Sequence, residues 1–111
     1  MTSEQLTALL AERVMAWTIG PDRFLMGSRR WLPRWRFQPL TRIEDAFQVL
    51  EKGASTFTLA LKGDGTFSAQ VQVRGHAGSA LGASKAATIT VAVARAIGLD
   101  VPDGMLGPKK R

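Results

Sequence analysis

Two stretches of alternating apolar and polar residues, 56–61 and 67–74, constrain the fold of this chain most strongly. Their apolar positions are Phe57, Leu59 and Leu61 in the first stretch and Phe67, Ala69, Val71 and Val73 in the second. Between them, Gly63-Asp64-Gly65 is typical of a tight turn. The pattern predicts an antiparallel hairpin with one apolar face. Because a lone hairpin is unstable in water, other elements must cover that face.

Two amphipathic segments before the hairpin are predicted to be helices. The first, residues 3–17, follows a Thr2–Gln5 capping box and carries apolar residues at helical spacing. The second, residues 42–52, follows a capping box at Thr41–Glu44 and stops at Gly53, which suits a left-handed C-cap. Both helices have an apolar stripe that can pack on the hairpin.

A third helix is predicted at residues 85–97. Ser84 is a suitable N-cap, and Gly98-Leu99 has the pattern of a Schellman ending with its hydrophobic contact. Residues 88–94 also alternate as a strand would, but the caps and the helical spacing favour the helix.

These elements predict an α+β fold, a small α/β sandwich in the order helix, loop, helix, strand, strand, helix. The sheet would be completed by a third short strand or by a second copy of the chain. We place one domain at residues 1–99. Residues 100–111 are rich in Pro and Gly and end in Lys-Lys-Arg, which predicts a flexible basic tail.

Composition excludes several classes of function. The chain has no cysteine, so it has no disulfide, no thiolate zinc site and no cysteine nucleophile. His76 is the only histidine and lacks partners at metal-ligand spacing, so we expect a binding protein rather than an enzyme, with no cofactor or metal. No apolar run approaches the ~20 residues of a membrane span, and the start lacks a secretion signal. We expect a cytoplasmic protein without a membrane partner.

The segment from Arg23 to Arg42 carries the net charge of +6. It holds six of the 15 Lys and Arg residues and no acidic residue, so nine basic residues remain outside it and balance the nine Asp and Glu. Prolines exclude a long helix here, and we expect a loop with a turn at Gly27-Ser28 and a short strand at 35–37. The candidate binding residues are Arg23, Arg29, Arg30, Trp31, Arg34, Trp35 and Arg36.

This mixture of arginine and tryptophan suggests a polyanionic partner. Guanidinium groups pair with phosphates and indoles stack on bases, so nucleic acid is one candidate. An acidic host protein is another candidate. A third interpretation has Trp31, Leu32, Trp35 and Phe37 anchoring the segment in the core while the arginines form a solvated face. No established nucleic-acid-binding motif decides between them.

The glycine-rich stretch from Gly75 to Lys85 lies between a predicted strand and a predicted helix. Such a position can bind an anion or a small phosphorylated ligand through backbone amides. The stretch does not match the phosphate-binding pattern GxxxxGK[ST], because Gly82 is followed by Ala-Ser-Lys. A flexible connection ending in a helix cap is the favoured interpretation.

Three segments resemble the phage ABA-sandwich domain, a family of small tailed-phage and prophage proteins of unknown function. They are Ala11–Trp17, Thr41–Lys52 and Ala87–Gly98, which occur in the family's order. The resemblance implies a sandwich fold and a phage or prophage origin, and it implies no catalytic residues. Ala16 stands where the family has glycine, and the arginine-tryptophan segment is not part of the family pattern.

Overall fold

The computed structural model describes residues 2–26 and 30–106, which form three α-helices, two three-stranded antiparallel sheets and two short 3-10 helices. The elements are α1 (Ser3–Arg13), β1 (Thr18–Ile19), β2 (Arg23–Met26), β3 (Arg30–Pro33), a 3-10 helix (Arg34–Arg36), α2 (Ile43–Gly53), β4 (Thr56–Leu61), β5 (Phe67–Val73), β6 (His76–Gly82), α3 (Lys85–Ala96) and a second 3-10 helix (Asp103–Leu106). The predicted α+β class is confirmed.

The predicted hairpin is present as β4 and β5. Phe57 lies opposite Val71 and Leu61 lies opposite Phe67, so the apolar residues of both strands share one face. The turn closes where the Gly65 N–H donates to the Lys62 carbonyl at 3.0 Å, with Gly65 at a φ of 86°. Glycine is required there because other residues avoid that conformation.

The sheet is completed by β6, which runs antiparallel to β5 within residues predicted to be a loop. That prediction was wrong because β6 has small residues at the positions facing α3. A Cβ atom on Gly78 would lie 2.3 Å from the Ala92 carbonyl oxygen and 2.3 Å from the Ala96 nitrogen. The backbones of strand and helix are in contact here, so no apolar alternation could appear in the sequence.

The basic segment is also not a loop. Its residues form β2 and β3 of a second sheet, and Arg34–Arg36 is a 3-10 helix where a short strand was predicted at 35–37. Only Phe24 on these two strands is fully buried, and each strand has four residues, too few to show the alternation that would have identified it. The predicted turn at Gly27-Ser28 lies outside the described residues.

The first helix begins as predicted and ends earlier. Both hydrogen bonds of the capping box are present, Gln5 N to Thr2 Oγ1 at 3.1 Å and Thr2 N to Gln5 Oε1 at 2.8 Å. The helix ends at Arg13 rather than at 17, and Ala16 follows with a φ of 60°. This left-handed residue turns the chain so that the Trp17 N–H donates a hydrogen bond to the Ala11 carbonyl, with an N–O distance of 2.9 Å.

The predicted caps of the second helix are wrong. Arg42, not Thr41, occupies the N-cap position and makes no side-chain capping bond. Instead, Asp45 inside the first turn accepts the Gln38 N–H at 2.9 Å and so fixes the preceding chain. Gly53 is the last helical residue rather than a left-handed cap, and a Cβ there would lie 3.0 Å from Val14 Cγ1.

The third helix, α3, is enclosed on two sides, by the sheet β4–β5–β6 and by α2. Ser84 accepts the Ala87 N–H at 3.3 Å, and Leu99 N–H donates to Ala94 O at 3.0 Å across Gly98, which confirms both predicted caps. The buried Thr90 hydroxyl donates to the Pro39 carbonyl at 2.7 Å. This bond ties the end of the basic segment to the centre of the fold.

Residues 101–106, which the sequence assigns to the tail, lie against the body of the protein. Val101 and Leu106 are buried. The Arg95 guanidinium donates to the carbonyls of Ser79 and Val101 and pairs with Asp103 at 2.8 Å. Residues 107–111 lie outside the described residues.

The contact between β6 and α3 predicts a large effect of Gly78→Ala. The added methyl group forces backbone atoms apart, so we expect the free energy of unfolding to fall by about 1–3 kcal/mol. Gly63→Ala is the matched control, since a Cβ at Gly63 meets no atom within 4 Å. Urea unfolding of both variants measures the difference, and equal midpoints would contradict the close contact.

The left-handed Ala16 predicts a stabilising substitution. Ala16→Gly removes the steric cost of positive φ, and we expect the free energy of unfolding to rise by about 0.5–1 kcal/mol. Ala8→Gly, inside α1, should lower it by about 1 kcal/mol. Opposite signs for these two Ala→Gly changes in thermal unfolding would support the geometry, whereas a loss of stability in both would refute it.

Candidate functional site

Three aromatic rings anchor the basic segment to the core. Trp17, Phe24 and Phe37 are buried, with ring centroids 4.9 Å apart for Trp17 and Phe37 and 5.9 Å apart for the other two pairs. Phe24 lies opposite Leu32 across β2 and β3. The segment is therefore held from its inner face by phenylalanines, and not by Trp31 or Trp35.

The two tryptophans of the segment are instead on the surface. Trp31 is 52% exposed and Trp35 is 68% exposed. Each ring lies beneath a guanidinium group, with Arg23 Cζ 5.5 Å from the Trp31 centroid and Arg36 Cζ 5.6 Å from the Trp35 centroid. We call these the two Arg–Trp pairs. Stacking of this kind orders an exposed indole while leaving part of its surface open.

Three of the segment's arginines are committed to local contacts. Arg23 pairs with Asp22 at 3.0 Å, and that hydrogen bond, with the guanidinium charge, lowers the pKa of Asp22. Arg34 donates to the Gly20 carbonyl at 2.9 Å and lies over the Phe24 ring. Arg42 lies 3.8 Å from Glu44 and 4.0 Å from Asp45. These contacts offset part of the charge that the sequence places in the segment.

The remaining arginines do not form one continuous array. Arg30 and Arg36 are exposed and form no ion pair within the described residues. Arg30 lies opposite Met26, on the sheet face opposite to that of its neighbour Trp31. Arg29 lies outside the described residues. The structure thus stacks one arginine on each exposed tryptophan and does not assemble the whole predicted set.

A groove of about 490 Å³ adjoins the second Arg–Trp pair. It lies between the first turns of α1 and the 3-10 helix, and Phe24, Arg34, Trp35, Phe37 and Leu40 form its apolar and basic wall. Glu4 lies on the opposite wall. A flat aromatic group stacked on Trp35 could extend into this groove.

The Gly75–Lys85 stretch is a strand rather than a loop over most of its length. Residues 76–82 are β6, whose backbone pairs with β5. The Lys85 ammonium lies 5.6 Å from the centroid of the Phe67 ring rather than over a row of free amides. The favoured interpretation, a flexible connection, is also wrong, although its helix cap at Ser84 is present.

A second basic surface was not indicated by the sequence. Arg13, Lys52, Arg74 and His76 line one cleft of about 800 Å³. The first two lie in the last turns of α1 and α2, and the other two flank the β5–β6 turn. Residues so far apart in the chain meet only because these ends lie together in the fold, and a single sequence carries no signal of that.

Within residues 2–26 and 30–106, no helix has the length and apolar character needed to cross a membrane. The same residues contain no cluster of three His, Cys, Asp or Glu side chains arranged to hold a metal ion.

Comparison with known proteins relates the chain to a phage protein by fold. No protein-family model and no curated protein matches it. The crystal structure of a phage protein from Bacillus cereus is similar over 92% of this chain and 93% of its own, with a TM-score of 0.73 and 17% sequence identity. At that identity the similarity establishes a shared α+β fold.

Proposed function

We propose that the protein binds single-stranded nucleic acid through its two Arg–Trp pairs. The observation that carries the proposal is the exposure of Trp31 and Trp35, each with a guanidinium over its ring. Unstacked bases gain about 1–3 kcal/mol each by stacking on such side chains. We expect Arg36, and Arg30 on the opposite face of the sheet from Trp31, to contact phosphates, since neither makes an ion pair in the described part of the chain.

We place this activity in a non-enzymatic accessory protein of a phage or prophage, acting in the cytoplasm of the bacterial host. The support is the fold shared with the Bacillus cereus phage protein and the segments similar to the ABA-sandwich family. Electrostatic attraction would bring the nucleic-acid strand to the two Arg–Trp pairs, and base stacking on the indoles would hold it there.

The affinity for a single-stranded oligonucleotide should depend only modestly on salt concentration. Two or three phosphate contacts on a single strand give a log–log slope of about −1.5 to −2, because each contact contributes about −0.7. Most of the affinity should then come from the tryptophans rather than from charge.

Fluorescence anisotropy with a labelled oligonucleotide tests the proposal. Trp31→Ala and Trp35→Ala should each weaken binding by about 5- to 150-fold, as loss of one stacked base predicts. Arg36→Gln should reduce the salt slope by about 0.7. Leu81→Ala is the control, because Leu81 is 51% exposed on the other sheet.

The result that would refute nucleic-acid binding is an affinity unchanged in both tryptophan variants, or no binding at low salt. An acidic host protein is the alternative partner for the same surface. It would be retained by the immobilised protein from a nuclease-treated lysate and lost in the same two variants, whereas a nucleic-acid complex would not survive the nuclease.

We further propose a symmetric homodimer through the free edge of β4. The two edges of this sheet differ. The β6 edge is covered by Arg95 and Leu106, whereas no strand within the described residues pairs with the outer edge of β4. Phe57 is 48% exposed and Leu61 66% exposed on the apolar face of the sheet, because α3 packs on β5 and β6 of that face and leaves β4 largely uncovered. Residues 56–61 carry no charge, so two copies would place no like charges opposite each other.

The backbone defines how two copies would pair. Lys62 N–H donates to Thr66 O at 2.8 Å, so even-numbered residues of β4 direct their backbone groups at β5. Odd-numbered residues direct theirs at the free edge. Antiparallel pairing about a two-fold axis at Leu59 then places Phe57 opposite Leu61 of the second copy and keeps all apolar side chains on one face.

A single cysteine tests this register, because the natural chain has none. Leu59→Cys would lie opposite itself at a Cα separation of about 5.5 Å, which a disulfide spans. We expect mild oxidation to produce a covalent dimer on a non-reducing gel. Ala77→Cys, exposed on β6, should stay monomeric, and equal cross-linking of both variants would refute the pairing.

A further inference from the structure

We propose that the cleft lined by Arg13, Lys52, Arg74 and His76 binds a small phosphorylated ligand of nucleotide size. This cleft is separate from the Arg–Trp pairs and does not depend on the function proposed for them. Its volume of about 800 Å³ falls in the range of roughly 300–1,000 Å³ typical of small-ligand sites.

All charged side chains that line the cleft are positive. Arg13, Lys52 and Arg74 line it, no acidic side chain does, and none of these three cations forms an ion pair within the described residues. Arg95 also borders the cleft, but its guanidinium is occupied by Ser79, Val101 and Asp103. Three cations therefore face the space without a partner, an arrangement that favours an anion of more than one charge.

Helix electrostatics explain only part of this cluster. Arg13 and Lys52 lie in the last turns of α1 and α2, where cations offset the negative helix end. Arg74 is not on a helix. It precedes Gly75 in the β5–β6 turn and has a φ of 51°, a conformation disfavoured for arginine. Together with Gly75, at a φ of 84°, it forms a two-residue turn that requires positive φ at both positions, so turn geometry accounts for its backbone but not for the positive charge that it adds to the cleft.

The floor of the cleft is apolar. Val14, Val73, Ala77, Ala96 and Ile97 lie beneath the basic rim. Val73 and Ala96 are buried, and they form the junction of β5 with α3. An anion such as sulfate would use only the rim, whereas a nucleotide would place its base or sugar on the floor and its phosphates against the cations.

Isothermal titration and thermal shift with ATP, adenosine and inorganic pyrophosphate, at fixed ionic strength, test the proposal. We expect ATP to bind and raise Tm by several degrees, pyrophosphate to bind more weakly, and adenosine to bind weakest. Lys52→Gln and Arg74→Asn should each weaken ATP binding about 10-fold. Asparagine is chosen because it tolerates positive φ.

Arg36→Gln is the matched control, since it removes one exposed positive charge from the other surface. It should leave ATP affinity unchanged. The proposal is overturned if neither ATP nor pyrophosphate binds, or if ATP affinity survives both cleft substitutions, or if Arg36→Gln weakens it equally. Oligonucleotide binding by Arg74→Asn, expected to be unchanged, separates failure here from failure of the nucleic-acid proposal.

Discussion

The packing of α3 against β6 is the constraint on which the rest of this structure depends. Helix and strand approach so closely at Gly78 that no side chain fits between them, and α2 covers the other side of the helix. A helix enclosed in this way must be apolar almost all round, so its few polar groups need internal partners. Thr90 finds one in the Pro39 carbonyl, and that bond fixes where the basic segment joins the core.

The same packing explains which parts of the fold could be predicted from sequence. Elements with one covered face, such as β5 and α2, carry a clear apolar period and were predicted. Near α3 the period disappears: the helix is apolar on every side, and β6 needs glycine and alanine, which resemble a loop. Local capping chemistry at Ser84 and Gly98 identified α3 where the hydrophobic pattern was ambiguous.

The candidate site was predictable in composition and not in geometry. Arg23 and Arg42 delimit a stretch without acidic residues, yet each pairs with a carboxylate just beyond that stretch, Asp22 and Glu44. Each carboxylate is only one or two residues away from its arginine in the chain. These pairs offset part of the positive charge that the sequence places in the segment. Whether an indole faces the core or the solvent depends on strand register, which places Phe24 inside and Trp31 outside.

Two basic surfaces on one small domain raise the question of whether they act as one. Trp35 lies beside the first turn of α1, while Arg13 lies in its last turn, and an 11-residue helix is about 16 Å long. That distance is about twice the Debye length of roughly 8 Å at physiological ionic strength. Removing a charge from the cleft therefore has little effect on a ligand at Trp35, and a ligand confined to the cleft does not reach Trp35. A variant that impairs binding at both surfaces would have to act through the fold between them. Helix α3 is the element that joins them, because Ala96 lines the cleft and Thr90 bonds to Pro39 at the end of the basic segment.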